Sequence, residues 1–562
     1  MLVHSYRMSN YKSSIAKQGK LGALLVLVGI FCASSNLRAQ SASNQIAVTP
    51  PPMGWSSWNS FSNTVDSQVI MSQAKAMTTN GMQKAGYRYI NIDEGWWLGA
   101  RDEEGNIVVD PKAWPPIAPG EQPGDMANIV RYIHSLGLKA GIYTDAGADG
   151  CSTVGPDLGP SYPHTGSEGH YEQDFLQFAK WGFDYVKVDW CGGFKENLDP
   201  AIQYGEIARA IARAESITGH RLYLSICNWG KDSPWNWAPN IGGVAADIWR
   251  TGGDIVAPIV ANSKNADRKA SFKEVLREFD QAQHPEAQHT GFYNDPDMMV
   301  VGMAGLTDQQ NRAHMSLWAL SGGPLLVGAD LTKLSPADLA TLTNPDALHI
   351  DQDSLGLQPV KAAEPAPGLE VWSKPLSTRG ERAVLLVNRT AAPAAISARL
   401  SDLGLRDDSP ATVTDIWAQS SLGEFNSSFS ATVADGDALL LIVLGSEGPS
   451  VEYFSEESKK DSAVAQSPAP GKNQQLTFAH VVSRFPVARV RITYANPDKA
   501  PRFAELRVNG QVATRIAFPS TGDSATGVLS IESRLDANGV KNTLAFSTSS
   551  DPGPSIQSIS VQ

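Results

Sequence analysis

The 562-residue chain predicts an α/β fold: a (β/α)8 barrel, then an antiparallel β-sandwich domain, then a C-terminal β-sandwich. Three observations predict it. Eight short apolar stretches alternate with longer helical or irregular ones between Pro51 and Leu355, and strands that alternate with helices build a parallel sheet. Eight such units in about 300 residues match the count and length of a barrel. Finally, polar and aromatic residues gather at the C-terminal ends of these stretches, the face where the loops of a barrel converge on an active site.

In order, the strands are expected at Pro52–Trp55, Tyr89–Asp93, Ala140–Tyr143, Tyr185–Asp189, Leu222–Ile226, Asp247–Arg250, Gly291–Asn294 and Pro324–Gly328. Amphipathic stretches such as Ser67–Ala85 and Met126–Ser135 supply helices between them. An open doubly wound sheet is the competing arrangement, but it would want a Gly-rich phosphate loop after its first strand, and the sequence has none. Past Leu355 the texture changes to short alternating strands, for example Leu369–Trp372, Ala383–Asn388 and Ala438–Leu444. Ser455–Lys472 reads as loop or linker, and beyond it Val487–Tyr494, Phe503–Val508, Val528–Ile531 and Asn542–Phe546 alternate again. The expected domains are therefore 45–355 (barrel), 356–447 (antiparallel β-domain) and 448–562 (β-sandwich).

Composition narrows the function. The formal charge is −12, from 46 basic and 58 acidic residues. Residues 1–39 carry five bases (Arg7, Lys12, Lys17, Lys20, Arg38) and no acid, so without them the balance is 41 against 58, or −17. So acidic a chain repels phosphate backbones and excludes nucleic acid as a natural partner. Residues 1–39 read as a signal peptide. Lys12, Lys17 and Lys20 precede the apolar run Leu21–Ala33, too short to span a bilayer, and Ala39 offers a small residue at the cut. The protein is expected to be exported, periplasmic or extracellular, with no membrane partner after processing. Cys151, Cys191 and Cys227 then remain, an odd number that suggests one disulfide and one buried thiol.

Two carboxylates carry the chemistry. Asp189 ends the fourth strand and Asp254 follows the sixth. Carboxylates facing one pocket suit glycoside hydrolysis, in which one attacks the anomeric carbon and the other protonates the departing oxygen. Trp55, Trp58, Trp96, Trp97, Trp190 and Trp229 are candidate walls for sugar faces, each as readily a core residue. A metal-dependent hydrolase has little support, since none of the ten His stands in an H-x-H or H-E-x-x-H arrangement. A sugar-binding protein on a decayed barrel would be expected to have lost one of the two acids. Both are present.

The motifs Met53-Gly54-Trp55-Ser56-Ser57-Trp58-Asn59, Ile92-Asp93-Glu94-Gly95-Trp96, Gly141-Ile142-Tyr143, Lys187-Val188-Asp189-Trp190-Cys191, Asn294-Asp295-Pro296-Asp297-Met298 and Gly323-Pro324-Leu325 resemble, collinearly over residues 50–445, glycoside hydrolase family 27. That family holds α-galactosidases together with α-N-acetylgalactosaminidase, β-L-arabinopyranosidase and isomaltodextranase members. The resemblance implies a retaining exo-glycosidase acting on galactose-containing oligo- or polysaccharides, without metal or other cofactor. It makes Asp189 the nucleophile and Asp254 the acid/base. It places Trp58, Asp93, Glu94, Tyr143, Lys187, Cys191, Arg250 and Asp297 around the sugar, and implies a Cys151–Cys191 disulfide. Two residues depart from the pattern. Glu94 stands where α-galactosidases commonly carry a second Asp, and its extra methylene is expected to push the carboxylate toward the position of C6, which L-arabinopyranose lacks. Asn228 stands where a Glu commonly reads the 2-hydroxyl region. The closing segment, with Ile492-Thr493-Tyr494-Ala495-Asn496, Val508-Asn509-Gly510 and Asn542-Thr543-Leu544, resembles a family 35 carbohydrate-binding module.

Overall fold

The computed structural model describes residues 45–154, 161–241, 244–255, 269–454, 475–511, 514–522, 524, 526–548 and 552–562. The expected signal segment 1–39 and the expected linker 455–472 lie outside these residues.

Eight strands form one parallel sheet: β1 (Met53–Ser56), β2 (Tyr89–Asn91), β3 (Lys139–Asp145), β4 (Tyr185–Asp189), β5 (Tyr223–Cys227), β6 (Ile248–Arg250), β7 (Tyr293–Asp295) and β8 (Leu325–Val327). Their order is β8-β1-β2-β3-β4-β5-β6-β7. The two edges meet through a parallel bridge between Met299 and Val327, where the Met299 N–H donates to Leu326 O at 2.7 Å. Close packing around the ring leaves little room at β1: a Cβ on Gly54 would sit 2.4 Å from the Tyr89 carbonyl, so only glycine fits.

The helices outside the sheet obey local rules. Asp66 caps Ser67–Thr79 by accepting from the Val69 N–H at 2.8 Å. The expected helix 67–85 is broken there, because Gly81 takes φ +98° and starts a separate turn at Met82–Ala85. Asp199 and Pro200 open Pro200–Thr218, and left-handed Gly219 closes it. Thr307 and Gln310 form a reciprocal cap on Asp308–Ser321.

After the barrel, a six-stranded antiparallel sheet contains Leu369–Pro375, Glu381–Asn388 and Asp437–Leu444, faced by the pair Ala394–Arg399 and Ser428–Val433. The last segment folds as two four-stranded antiparallel sheets. Its strand Val487–Ala495 alternates buried and half-buried residues along its whole length, the period-two pattern of a sandwich strand. The barrel and the middle domain share one apolar core, to which Trp372, Leu385 and Leu440 contribute. The C-terminal sandwich has its own core, centred on Phe478, Ile492, Phe518 and Phe546.

Candidate active site

Parallel register brings the strand ends level. Asp145 of β3 pairs with Asp189 of β4, and Asp189 pairs with Cys227 of β5. On the far side Arg250 of β6 pairs with Asp295 of β7. Above these ends lies a cavity of about 220 Å³ whose lining includes Trp58, Asp93, Glu94, Tyr143, Lys187, Asp189, Arg250, Asp254 and Asp297. Both members of the Cys151–Cys191 pair and Trp229 also line it. A larger and shallower cleft of about 1060 Å³ lies elsewhere, against β1, β2 and the C-terminal sandwich. It holds neither Asp189 nor Asp254; the smaller cavity holds both.

Asp189 is buried, and its Oδ1 accepts from the Trp190 N–H at 3.0 Å. The Lys187 ammonium stands 3.6 Å from its Oδ2 and 3.0 Å from Asp93 Oδ2, and lies 5.3 Å over the Tyr143 ring. Burial pushes the Asp189 carboxyl up to about 6, with the Lys187 charge opposing. For Lys187 the balance runs the other way. Burial disfavours its charge, but Asp93 and Asp189 outweigh that and hold the amine protonated. Asp93 is further fixed by Ser56 Oγ at 3.2 Å and by its own oxygen accepting from the Glu94 N–H at 2.9 Å.

Asp254 sits at the rim, its side chain 58% exposed. Arg250 ties it down: one guanidinium nitrogen lies 3.0 Å from Asp254 Oδ1 and the other 2.9 Å from Asp297 Oδ1. Asp297 also accepts from the Ile255 N–H at 2.7 Å, so it grips the Asp254 loop at two places. It does this at φ +97°, a backbone conformation that costs on the order of 1 kcal/mol or more for a residue with a side chain. Burial raises the Asp297 carboxyl to about 7, against the pull of Arg250.

The site is acid-rich. Asp93, Glu94, Asp145, Asp189, Asp254, Asp295 and Asp297 face or underlie it with Lys187 and Arg250 as counter-charges.

Glu94 differs from expectation. Its carboxylate does not stand free in the pocket. It accepts from the Ser152 N–H at 3.1 and 2.9 Å and from Ser152 Oγ at 2.8 Å. The extra methylene is spent on reaching the turn Cys151–Val154. Burial raises this carboxyl to about 7, with the Ser152 hydrogen bonds opposing. Asn228 also differs: it is buried beside the pocket and outside its lining, and its Nδ2 donates to Lys231 O at 2.7 Å. Of the six candidate tryptophans, Trp58 and Trp229 line the cavity. Trp55, Trp96, Trp97 and Trp190 are core residues.

Cys151 and Cys191 are disulfide-bonded, and Cys227 is a buried free thiol. Two residues were missed in the sequence. Asp145, fully buried, accepts from the Gly147, Cys191 and Gly192 N–H groups at 2.7, 2.7 and 3.1 Å. It therefore caps the helix Cys191–Lys195 that follows β4. Ser152 holds Glu94. The expected strand ended at Tyr143, two residues short, which left Asp145 out of the strand-end set. Asp145, Cys151, Asp189 and Cys191 also place their ligand atoms within 4.8 Å of one another, but both sulfurs are bonded to each other and are not thiolate ligands. Among the described residues, no helix is long and apolar enough to cross a membrane.

Residues 49–353 match the family model described as alpha galactosidase A. The chain belongs to this family. Residues 366–443 match the alpha galactosidase C-terminal β-sandwich domain. Residues 476–561 match the CBM13 domain of alpha-galactosidase, a different module description from the family 35 resemblance. The chain is 40% identical over 369 residues to alpha-galactosidase A of Cellvibrio japonicus, covering 65% of this chain and 83% of that protein. It is 36% identical over 389 residues to a probable alpha-galactosidase of Dictyostelium discoideum, covering 69% and 89%. Alpha-galactosidase I from Mortierella vinacea superposes with a TM-score of 0.61 at 28% identity, over 72% of this chain and 100% of that one. A β-L-arabinopyranosidase from Geobacillus stearothermophilus has the same fold, with a TM-score of 0.59 at 22% identity over 71% and 96%. The protein is a glycoside hydrolase of the alpha-galactosidase family.

Proposed function

We propose that the protein removes terminal α-D-galactosyl residues from oligo- or polysaccharides by a retaining double displacement, with Asp189 as nucleophile and Asp254 as acid/base. The observation that carries this reading is the contrast between the two acids that line one small cavity. Asp189 is buried at its floor beside an ammonium, and Asp254 is exposed at its rim on an arginine. A sugar entering the cavity brings C1 to Asp189 and leaves the glycosidic oxygen near Asp254, facing solvent. An Asp189 oxygen bonds to C1 as the C1–O bond breaks, and Asp254 gives its proton to the departing oxygen. Asp254 then takes a proton from water, whose oxygen attacks C1 and releases Asp189.

In this reading Asp93, Lys187 and Glu94 hold ring hydroxyls, Glu94 through the lone pairs its Ser152 bonds leave, with Trp58 as a wall and Tyr143, Cys191, Arg250 and Asp297 shaping the surface around them. Asn228 would act through the loop it braces. Export of the chain is part of the proposal, and the disulfide supports it, since such bonds persist in oxidising compartments. Activity on β-L-arabinopyranosides is the second reading, favoured by Glu94 alone. A panel of nitrophenyl α-D-galactoside, β-L-arabinopyranoside, α-D-glucoside and α-N-acetylgalactosaminide tests both. The α-galactoside should be the fastest substrate, and no turnover of it would overturn the proposal.

A further inference from the structure

Between the barrel and the C-terminal sandwich lies a second cavity of about 530 Å³, lined on the barrel side by Trp235, Asn236 and His289 and on the sandwich side by Asn509, Glu532 and Asp536. None of these belongs to the catalytic pocket. Two of them are polar groups left without a partner. His289 is 1% exposed and its Nε2 has no hydrogen-bond partner, while Glu532 is 4% exposed and its Oε2 has none. Leaving one such atom unsatisfied costs about 1–3 kcal/mol, so two lining a single cavity, one from each domain, point to a ligand that satisfies both. Trp235 supplies a flat wall: its indole rests on the His284 ring at 3.6 Å, nearly parallel.

The faces of this cavity are held in place. Asn240 Nδ2 donates to Glu505 Oε1 at 3.2 Å, Arg534 pairs with Glu286 at 3.0 Å, and the Ala517 N–H donates to Thr290 Oγ1 at 3.4 Å. The gap is therefore part of a fixed interface. Charged groups also line the cavity, among them Arg515, Asp536 and the paired Arg534 and Glu286, but its two unpartnered groups are not ions at pH 7. Burial lowers the His289 imidazole to about 4, so it is neutral at pH 7. Burial raises the Glu532 carboxyl to about 8, against Arg489 and Lys374. A neutral imidazole and a largely protonated carboxyl each offer hydrogen bonds without a net charge, and hydroxyl groups are the partners that can both give and accept.

We propose that this cleft is a second saccharide-binding site, built jointly by the barrel and the C-terminal sandwich, which holds a galactosyl unit of the polymeric substrate away from the catalytic pocket. The identity of the sugar rests on the α-galactosidase reading; the site itself does not. Holding the polymer at a second point raises its effective concentration at the catalytic pocket, so the benefit falls on polymers and not on small glycosides.

The full-length chain carries the test, with galactomannan as the probe in affinity electrophoresis and nitrophenyl α-galactoside as the small substrate. Glu532→Leu removes the unpartnered carboxyl at similar size, so its Tm should hold or rise. Its retardation by galactomannan should fall roughly tenfold, while kcat/KM on the nitrophenyl substrate stays within about twofold. Trp235→Ala should lose retardation in the same way. Unchanged retardation in Glu532→Leu would overturn the site, as expected if only ordered water fills the cleft. Parent protein that hydrolyses the nitrophenyl galactoside yet runs unretarded would overturn it equally. Parent protein retarded by galactomannan but inactive on the nitrophenyl substrate would instead sink the α-galactosidase reading and leave the site standing.

Discussion

The burial of Asp189 costs the fold stability. Its carboxyl is raised from 3.8 to about 6 by burial, so the folded state disfavours its charge. The penalty is absent below the unfolded pKa, grows as pH rises from about 4 to 6, and is complete at pH 7. A shift of that size corresponds to about 3 kcal/mol. Asp189→Asn should therefore abolish turnover and raise Tm at pH 7, with the gain shrinking toward zero near pH 4. Thermal unfolding at the two pH values checks this, and an equal gain at both would show that charge is not the cause. In the parent, kcat/KM should fall as pH drops through about 6, where Asp189 takes up its proton. Glu94 makes the second case. Asp is one methylene shorter and cannot hold Ser152 from the same backbone, so Glu94→Asp should release the Cys151–Val154 turn and free space at the pocket wall. The ratio of α-galactoside to β-L-arabinopyranoside activity should rise, within the roughly 10- to 200-fold that one carbon is worth. A flat ratio would mean Glu94 serves the Ser152 turn and does not read the sugar.

At the scale of elements, the strand ends were legible because a barrel strand is a short apolar run ending in a polar residue, and all eight appear near their expected positions. Helix ends were less legible. Gly81 breaks the stretch 67–85 through its backbone conformation, which apolar periodicity does not register. Tryptophan was the least informative residue, since packing a core and lining a sugar pocket demand the same flat apolar ring. Only the fold separates Trp58 and Trp229 from the four that are buried. Asp145 and Ser152 act on other residues by hydrogen bonds that have no fixed spacing in sequence. The disulfide joins the turns after β3 and β4, and a Cβ on Gly147 would lie 2.3 Å from the Gly192 carbonyl carbon, so these backbones touch. With the cysteines 40 positions apart in sequence, loop closure alone is worth about 4 kcal/mol. Cys151→Ala/Cys191→Ala should lower Tm by several degrees and reduce kcat, because Cys191 lies two residues past Asp189 and lines the same cavity. Unreduced peptide mapping should recover the Cys151–Cys191 link, with Cys227 alkylated only after unfolding. Finding Cys227 in a disulfide would contradict the structure.

On the scale of the molecule, the three segments are not equally independent. One apolar core runs from the barrel into the middle domain, which also closes a smaller core around Val384, Leu386 and Val443, while nearly all of the C-terminal sandwich's apolar residues pack in a core of its own. Contacts between barrel and middle domain are polar as well: Trp417 Nε1 donates to Ser316 Oγ at 2.8 Å and Arg389 pairs with Asp280 at 2.6 Å. Scanning calorimetry should show barrel and middle domain unfolding in one transition, with the sandwich in a second. Separate transitions for barrel and middle domain would refute the shared core.

The proposed double displacement requires that Asp189 attack C1. The most direct measurement uses a 2-deoxy-2-fluoro-galactosyl fluoride, whose fluorine slows release of the covalent intermediate, followed by mass spectrometry of the proteolysed enzyme. One fluorogalactosyl group on the peptide that carries Asp189, with activity lost in step with labelling, is the predicted result. A label on Asp254, or an enzyme that turns over α-galactosides but never acquires one on Asp189, would contradict it.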